Sequence, residues 1–338
     1  MATLSVTNPT LLDWAKTRDP KGKTAKIVEM LAQTNSALED MVVKEGNLPT
    51  GERVTIRTGL PTSYYRMINA GTPASKATTA QVTENAAMLE ARSHVDVKLA
   101  KLEGDVNAYR LSQAMPFMES MSQAQATTLF YGSAANPEEY VGLANRYNLI
   151  SAANGDNIID AGGSSTDNMS AWLVGWGLDK VYGIFPKGSK AGLEHEDLGI
   201  DDVDDADGNQ FRAYKDLFCW DQGLVVADWR YAVRIANIDN SDLVGATGTQ
   251  ATTAATAVVK LMSRAIDHIP SITSCKPAFY VNRTLASHLR VQALSFSSSA
   301  VTIEKGLNQF GESIHQLMFL GIPVRLMDTL TIAEARVV

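Results

Sequence analysis

The sequence has little of several features that define large protein classes. Its two cysteines, Cys219 and Cys275, are too few for a disulfide-rich secreted scaffold and are typical of a protein whose thiols stay reduced in the cytosol. No apolar run approaches the ~20 residues that span a bilayer. The first residues also lack the basic start and apolar run of a secretory signal. We therefore expect neither a secretory signal nor a membrane span.

Basic charge is also scarce. Lys and Arg total 30 against 37 Asp and Glu, so the formal net charge is −7. This balance argues against a nucleic-acid-binding surface as the main function. Hydrophobic residues make up 45% of the 338 residues and charged residues 20%, which is typical of a globular chain with a sizeable core and about two domains.

Motifs for binding phosphate or calcium are incomplete. Residues 183–190 nearly match a phosphate-binding loop, but Ser189 precedes Lys190, which reverses the required Lys-Ser order, and no clear helix follows, so we interpret the segment as a turn. The acidic run before Gly208 misses the calcium-loop spacing, because its first and last ligand positions would be Val203 and Tyr214. A hairpin tip at Asp207 and Gly208 explains the run, with weak cation binding as the alternative.

Catalytic patterns are missing as well. The five histidines have no metal-ligand spacing, and no nucleophile elbow, Cys–His pair or acid–base carboxylate pair stands out; the histidines are His94, His195, His268, His288 and His315. We therefore predict no catalytic, cofactor-binding or metal-binding residues and no cofactor, and we interpret the chain as a non-enzyme.

What the sequence does contain is a long helical pattern at residues 105–132. Asp105 can cap its start and Gly132 can end it in a left-handed turn. Pro116 predicts a bend near Ser112. The predicted buried face has the spacing of an amphipathic helix and consists of Leu111, Met115, Met118, Gln125 and Leu129, flanked by Met121. Such a helix can serve as a spine for the fold, although an ordinary enzyme core helix would show the same pattern.

An arm and a ribbon are predicted before this spine. Residues 1–22 carry turn residues and the apolar anchors Leu11, Leu12 and Trp14, which can dock on another chain or on their own domain. A helix is predicted at residues 24–43. Residues 52–58 and 78–99 read as two strands of a long ribbon with a small polar tip at residues 70–77. A two-stranded ribbon is marginal alone, so we expect it to lie across a partner surface or across its own core.

The remaining two thirds mix strands and helices. Apolar, β-branched and aromatic runs predict strands at residues 172–176, 181–185, 211–220, 223–238 and 277–282, with a closing strand from residue 321. Helical periodicity predicts helices at residues 252–269 and 283–294. A small-residue linker at residues 245–253 suggests a boundary that separates the strands of residues 172–238, together with the spine, from a second domain at residues 252–324.

Taken together, the chain resembles the major capsid proteins of tailed bacteriophages, which have the Hong Kong 97-type fold. The resemblance rests on the joint occurrence of several segments over nearly the whole chain, namely residues 35–41, 60–71, 95–99, 105–132, 137–143, 279–284 and 320–324. It implies an α+β fold with an N-terminal arm, an extended β-ribbon loop, a spine helix, and peripheral and axial domains. The strands at residues 176–239 precede the axial segments instead of following them, which suggests a permuted order.

This resemblance implies domains and a function. The expected parts are an arm and helix at residues 1–47, the ribbon at 48–104, the spine and peripheral strands at 105–245, and the axial domain with the closing strand at 246–338. The implied function is self-assembly, as pentamers and hexamers, into an icosahedral phage head enclosing double-stranded DNA without sequence specificity. Two alternatives are a bacterial nanocompartment shell protein of the same fold and an enzyme with an unrecognised site.

The resemblance also implies partners and a location. They are a scaffold, a portal and a cement protein, with the subunit made in the bacterial cytoplasm and located in the virion, away from membranes. Some family members link their chains covalently through Lys and Asn. Lys76, near the ribbon tip, is the candidate lysine here, and no Asn matches well enough to be named as its partner.

Overall fold

The computed structural model describes residue 9 and residues 32–102, 104–164, 166–205, 208–244, 249–294, 301–307 and 313–338. The predicted arm at residues 1–22, apart from Pro9, and the first part of the predicted helix at residues 24–43 lie outside these described residues. From residue 32 onward that helix prediction is wrong: the helix α1 spans only Ala37–Asp40 and the strand β1 spans Val43–Glu45. Tertiary pairing explains the difference, because β1 pairs in parallel with residues 183–185 of the central sheet.

The described residues form one branched sheet with helices packed against it. The remaining strands are β2 (Gly51–Gly59), β3 (Thr78–Asp96), β4 (Ile158–Asp160), β5 (Asn168–Trp176), β6 (Val181–Phe185), β7 (Leu193–Asp204), β8 (Gln210–Val226), β9 (Ala232–Asp239), β10 (Lys276–Val281), β11 (Val301–Leu307), β12 (Ser313–Phe319) and β13 (Ile322–Leu326). The main path runs β11-β12-β13-β10-β5-β6-β8-β3-β2, while β1, β4, β7 and β9 pair off it.

The helices that follow α1 are α2 (Val97–Leu102), α3 (Val106–Tyr131), α4 (Leu143–Arg146), α5 (Asn240–Val244), α6 (Thr249–His268) and α7 (Arg283–Leu294). Of the strands and helices predicted above, residues 181–185 and 283–294 match β6 and α7 to the residue. The predicted strands at 211–220 and 223–238 are divided wrongly: β8 runs without a break from Gln210 to Val226, and a turn at Trp229–Tyr231 separates it from β9. The other predictions after the spine agree in type and differ at their ends, because tertiary pairing sets strand boundaries.

The core is centred on β5, all of whose residues are buried. Trp172 lies against the rings of Phe130 and Tyr147, with centroids 5.9 and 6.0 Å apart, and the Trp176 indole N–H donates to the Tyr280 hydroxyl over 2.6 Å. Because these aromatic residues come from α3, from the residue that follows α4, from β5 and from β10, one core joins the middle of the chain to its final third.

This shared core contradicts part of the predicted division into domains. The strand β5 pairs with β9 on one side and with β10 on the other, and β9 packs more against α6 than against the spine α3. The prediction that these strands belong with the spine and apart from the last third is therefore wrong for β5 and β9. The residue boundaries of the domains and the permuted order stay predictions.

The spine helix α3 confirms the sequence prediction in position. Its cap is Asp105, whose carboxylate accepts hydrogen bonds from the N–H groups of Asn107 and Ala108, both over 3.1 Å. The helix continues through Pro116 without interruption, and the predicted bend stays a prediction.

The predicted buried face of α3 is wrong in its first half. Leu111 and Met115 are 61% and 51% exposed, whereas Tyr109 and Ala114 are buried. In the second half, Gln125 and Leu129 are buried as predicted. The buried face changes along the helix because α3 packs first on β3 and β8 and then on the central core. A sequence pattern cannot show that one helix has two different packing partners.

The predicted role of Gly132 is also wrong. Its backbone is not left-handed, with φ −49° and ψ 133°. A glycine is needed there for space: a Cβ atom would lie 2.2 Å from the Tyr140 carbonyl oxygen and 2.6 Å from that of Thr128. The segment after α3 therefore turns back and passes close to the helix end, where the Gly142 N–H donates to the Gly132 carbonyl over 2.9 Å.

The ribbon is formed by β2 and β3 in antiparallel register, with Val54 opposite Val82. β3 continues inward and pairs with β8 from Ala86 to Asp96. The prediction that the strand reaches residue 99 is wrong, because the Asp96 carboxylate accepts hydrogen bonds from the N–H groups of Lys98 and Leu99 and starts α2 there.

Candidate functional site

The ribbon loop, residues 60–77, is the most exposed described part of the chain. It has no strand or helix of its own, and all of its residues are exposed. Its first half carries large apolar side chains at exposures from 50% to 109%, namely Leu60, Tyr64, Tyr65, Met67 and Ile68. Apolar side chains gathered on a projecting loop mark an interaction surface, because they gain stability only when another surface covers them.

The base of the ribbon is fixed to the core by a bidentate ion pair. Both guanidinium nitrogens at the end of Arg146, in α4, donate to the Glu84 carboxylate of β3 over 2.6 and 2.7 Å. Arg146 also donates to the carbonyl oxygens of Val141 and Leu224. A planar guanidinium held at four points sets the direction in which the ribbon leaves the subunit.

A groove lies between the first half of α3 and the hairpin of β7 and β8. It encloses about 310 Å³ and is lined by Asn107, Arg110, Leu111, Ala114, Met118, His195, Asp197, Asp216 and Phe218. Its floor is apolar, and the ring of His195 stacks on Phe218 with centroids 4.9 Å apart. We call this feature the spine groove.

One wall of the spine groove is an ion network around Asp216, which is buried. Arg110 donates to Asp216 and to Asp197, both over 2.7 Å, and the His195 ring lies 2.9 Å from Asp216. The hydrogen bond to Asp197 is the main reason why the pKa of the Arg110 guanidinium is raised, and the bond from Arg110 likewise lowers the pKa of Asp197. The network ties α3 to the β7–β8 hairpin.

A second ion network is buried near the last described residues. Arg234 donates to Glu334 over 2.8 Å, and the Tyr131 hydroxyl donates to the same carboxylate over 2.6 Å. Ser170 bonds both Arg234 and Glu334. Burial, followed by the charge of Glu334, raises the pKa of Tyr131. The network therefore holds the segment at residues 331–338 against α3, β5 and β9 and stabilises the fold.

The sequence motifs that resembled binding sites are turns in the structure. Gly188 has φ +88° and its N–H donates to Glu45, so a carboxylate already occupies the donor that a phosphate would need. Gly208, with φ +82°, lies in the turn between β7 and β8, which confirms the predicted hairpin, whereas Asp207 lies outside the described residues. Lys76 lies in the exposed ribbon loop.

The structure brings together residues that the sequence patterns did not connect. Within the described part of the chain, no group of three or more His, Cys, Asp or Glu could hold a metal ion, and both cysteines are free thiols. No helix of this part is long and apolar enough to cross a membrane. Sequence reasoning missed the Arg110–Asp216–His195 network, because its members are up to 106 residues apart and nothing in their spacing relates them.

Comparison with known proteins identifies the family. The family model described as major capsid protein GP7 matches residues 19–338. A chain in the cryo-electron microscopy structure of bacteriophage Epsilon15 is 31% identical, with a TM-score of 0.74, and the match covers 100% of this chain and 99% of that one. No curated protein matches.

Two weaker matches are phage structures from which we draw nothing further. The capsid of bacteriophage JBD30 is 12% identical with a TM-score of 0.46, covering 97% of this chain and 100% of that one. Microbacterium phage Oxtober96 is 11% identical with a TM-score of 0.45, covering 67% and 98%.

These findings confirm the predicted α+β capsid fold of Hong Kong 97 type and do not favour the nanocompartment alternative. The match to the family model covers the projecting ribbon, the spine and the central sheet alike. The chain therefore belongs to the GP7 family of major capsid proteins, the structural proteins of bacteriophage capsid shells.

Proposed function

We propose that the subunit assembles, as pentamers and hexamers, into an icosahedral phage head that encloses double-stranded DNA. The observation that carries the proposal is the ribbon, which leaves the core in a fixed direction and ends in an exposed apolar loop. A loop that cannot be covered by its own core needs a neighbour, and repetition of one such contact around symmetry axes closes a shell.

The ribbon loop cannot return to its own core while β3 stays intact. β3 stays paired with β8 as far as Ala86, and from there to Thr78 it runs a further eight residues beside β2, or about 26 Å at the usual rise per residue. The loop beyond Thr78 is therefore presented far from the rest of the subunit. This geometry supports a contact with a second copy.

The finer parts of the proposal concern domains and partners. We place the arm at residues 1–47, the ribbon at 48–104, the spine and peripheral strands at 105–245 and the axial part at 246–338, in a permuted order. β5 and β9 are the exceptions, because they lie in the core shared with the axial part. The other partners are a scaffold, a portal and a cement protein, and the subunit is made in the bacterial cytoplasm. The subunit has no catalytic role. Packaged DNA is held without sequence specificity, which accords with the acidic net charge.

The test replaces the ribbon loop while leaving the core intact. One variant exchanges residues 70–77 for a short Gly-Ser turn, and a second changes Tyr65, Met67 and Ile68 to Ser. Both should keep the circular dichroism and melting temperature of the parent, because these residues are exposed. Both should lose most closed particles in sedimentation and negative-stain microscopy, since each removed contact recurs in every subunit. Normal yields of closed particles from both variants would contradict the proposal.

A further inference from the structure

The acidic charge of the subunit is concentrated in the first part of the chain. Residues 1–245 carry 22 basic and 32 acidic residues, whereas residues 246–338 carry eight basic and five acidic ones. The last part of the chain is therefore net positive, although the formal charge of the whole chain is −7. A positive part of an acidic protein can attract anions locally, which the net charge alone does not show.

A small polar pocket borders this positive part. It encloses about 200 Å³ between α7, the hairpin of β12 and β13, and the segment before α1. Its polar lining residues are Thr34, Ser36, Arg290, Gln316 and Arg325, and none of the described residues that line it is acidic. The volume is below the roughly 300–1,000 Å³ of sites for drug-sized ligands, so a small group fits it best. We call this feature the arginine pocket.

The charge of Arg290 is not neutralised by a described neighbour. This residue of α7 is exposed and makes no ion pair within the described part of the chain. Arg283, seven positions earlier on the same helix, instead donates to Asp328 twice, over 2.6 and 2.7 Å. Asp328 also accepts a hydrogen bond from the Thr34 N–H, so the carboxylate next to the pocket lining is already engaged. Arg290 therefore offers the pocket a full positive charge.

Arg325 is only partly paired. Its Nη2 lies 3.2 Å from one oxygen of the Asp40 carboxylate, whose other oxygen accepts a hydrogen bond from the Tyr280 hydroxyl. Its Nε is buried and has no hydrogen-bond partner among the described residues. A buried donor without an acceptor is unfavourable, so this edge of the guanidinium is suited to a further acceptor. The side chain is 33% exposed and is held by one ion pair, so it can turn its Nε toward an acceptor that enters the pocket.

A phosphate group matches the chemistry of the arginine pocket. The planar guanidinium of arginine binds phosphate through two parallel N–H bonds. Glutamine, serine and threonine are also among the side chains that contact backbone phosphates in nucleic-acid complexes. A phosphate of the DNA backbone carries one negative charge, and Arg290 supplies one positive charge that no described carboxylate neutralises.

We infer that the arginine pocket binds a phosphate group, which in the assembled head belongs to the backbone of the packaged DNA. Arg290 and Arg325 donate to its oxygens, and the other polar lining residues complete the contact. The inference rests on the proposed function, and it names a part of the subunit that touches the genome. Because backbone phosphates are alike at every base pair, the contact adds no sequence specificity.

Unassembled subunits test the pocket with two probes, inorganic phosphate and a DNA duplex of about 30 base pairs. The pocket variant combines Arg290→Gln with Arg325→Gln. The control combines Lys260→Gln with Arg264→Gln, which removes the same charge from exposed positions of α6 outside the pocket lining. Line broadening in phosphorus NMR measures phosphate binding, and fluorescence anisotropy measures duplex binding. Circular dichroism checks the fold of each variant.

The pocket variant should lose the broadening of the phosphate signal and bind the duplex at least about fivefold more weakly than the parent, because it lacks both guanidinium groups. The slope of log affinity against log salt should also decrease by about one, as expected for the loss of one phosphate contact. The control should keep phosphate binding and change duplex binding by less than about twofold. If the double variant fails to fold, Arg290→Gln alone takes its place, since Arg290 is exposed.

Three outcomes would overturn the inference. No phosphate binding by the parent, or equal losses in the pocket variant and the control, would show that the pocket is not a phosphate site. Loss of phosphate binding with unchanged duplex binding would show that the pocket takes free phosphate and not DNA. Loss of closed particles by the pocket variant in the absence of DNA would show that the pocket holds an acidic side chain of a second copy.

The binding assays are separate from the test of the proposed function. They use unassembled subunits, so they can fail while the parent forms closed particles. A parent that binds phosphate and duplex through the pocket but never forms particles would support the site and contradict the shell function.

Discussion

At the scale of single residues, the cost of losing an ion pair depends on its burial. Arg234 and Glu334 are each about 5% exposed, and Arg234 also donates to two main-chain carbonyls, of Ala144 and Tyr147. The Arg283–Asp328 pair is also bidentate, but its guanidinium is 65% exposed. Water can therefore replace the lost partner in the second pair and not in the first.

We expect Arg234→Ala to lower the free energy of unfolding by about 3–5 kcal/mol, because it leaves a buried carboxylate without its cation. Arg283→Ala, the matched control, should cost about 1 kcal/mol or less. Urea unfolding of the unassembled subunits, followed by circular dichroism, measures both. Equal losses for the two variants would show that burial does not distinguish these pairs.

Asp328 should make stability depend on pH. Partial burial raises the pKa of its carboxyl group, but hydrogen bonds from Arg283 and the Thr34 N–H lower it further, so the net pKa lies below its usual value. A depressed folded-state pKa stabilises the protein above the unfolded-state pKa of about 3.9, and this stabilisation is lost as the pH falls through the folded-state value.

The matching measurement compares the parent with Asp328→Asn. The parent should be the more stable protein at pH 6, and the difference in unfolding free energy should shrink between pH 5 and pH 3. A difference that stays constant over this range would show that the carboxylate charge is not responsible.

At the scale of elements, the sequence predicted where elements lie better than which faces they bury. The position of α3 followed from Asp105 and the helical periodicity, and these signals are local. The exposure of Leu111 and Met115 and the early end of β3 were set by packing partners and by the Asp96 cap. The ion network of the spine groove was beyond prediction because it depends on the path of β7 and β8.

The end of α3 gives an element-scale prediction. Gly132→Ala should lower the free energy of unfolding by about 2 kcal/mol or more, because the new Cβ would meet the carbonyl oxygens of Tyr140 and Thr128 and the backbone would have to shift. Gly71→Ala is the control: nothing lies within 4 Å of its added Cβ, so it should change stability by less than about 0.5 kcal/mol. Thermal unfolding measures the loss of stability in each variant. A Gly132→Ala variant as stable as the parent would mean that the segment around Tyr140 moves away from the helix end easily.

At the scale of the whole molecule, distant segments are joined in ways that no local pattern shows. Strand β10 lies between β5 and β13 in the sheet, although more than 90 residues separate it from β5 in the chain. The small-residue linker after residue 244 predicted a separation, yet the aromatic core crosses it. The resemblance to capsid proteins identified the fold because it used the order of many segments at once.

The charge of the whole molecule leads to the last prediction. A subunit with 30 basic and 37 acidic residues cannot bind DNA through its net charge, and a shell that encloses a genome must not hold particular sequences on its inner face. We expect isolated subunits to bind two unrelated 30-base-pair duplexes with dissociation constants of about 1 µM or weaker, alike within about threefold. Fluorescence anisotropy at 50 and 200 mM salt provides the measurement, and the weak binding should decrease as salt is raised. Nanomolar binding to one duplex that survives 200 mM salt would show that the subunit recognises DNA sequence, and the proposal of a passive container would then have to be abandoned.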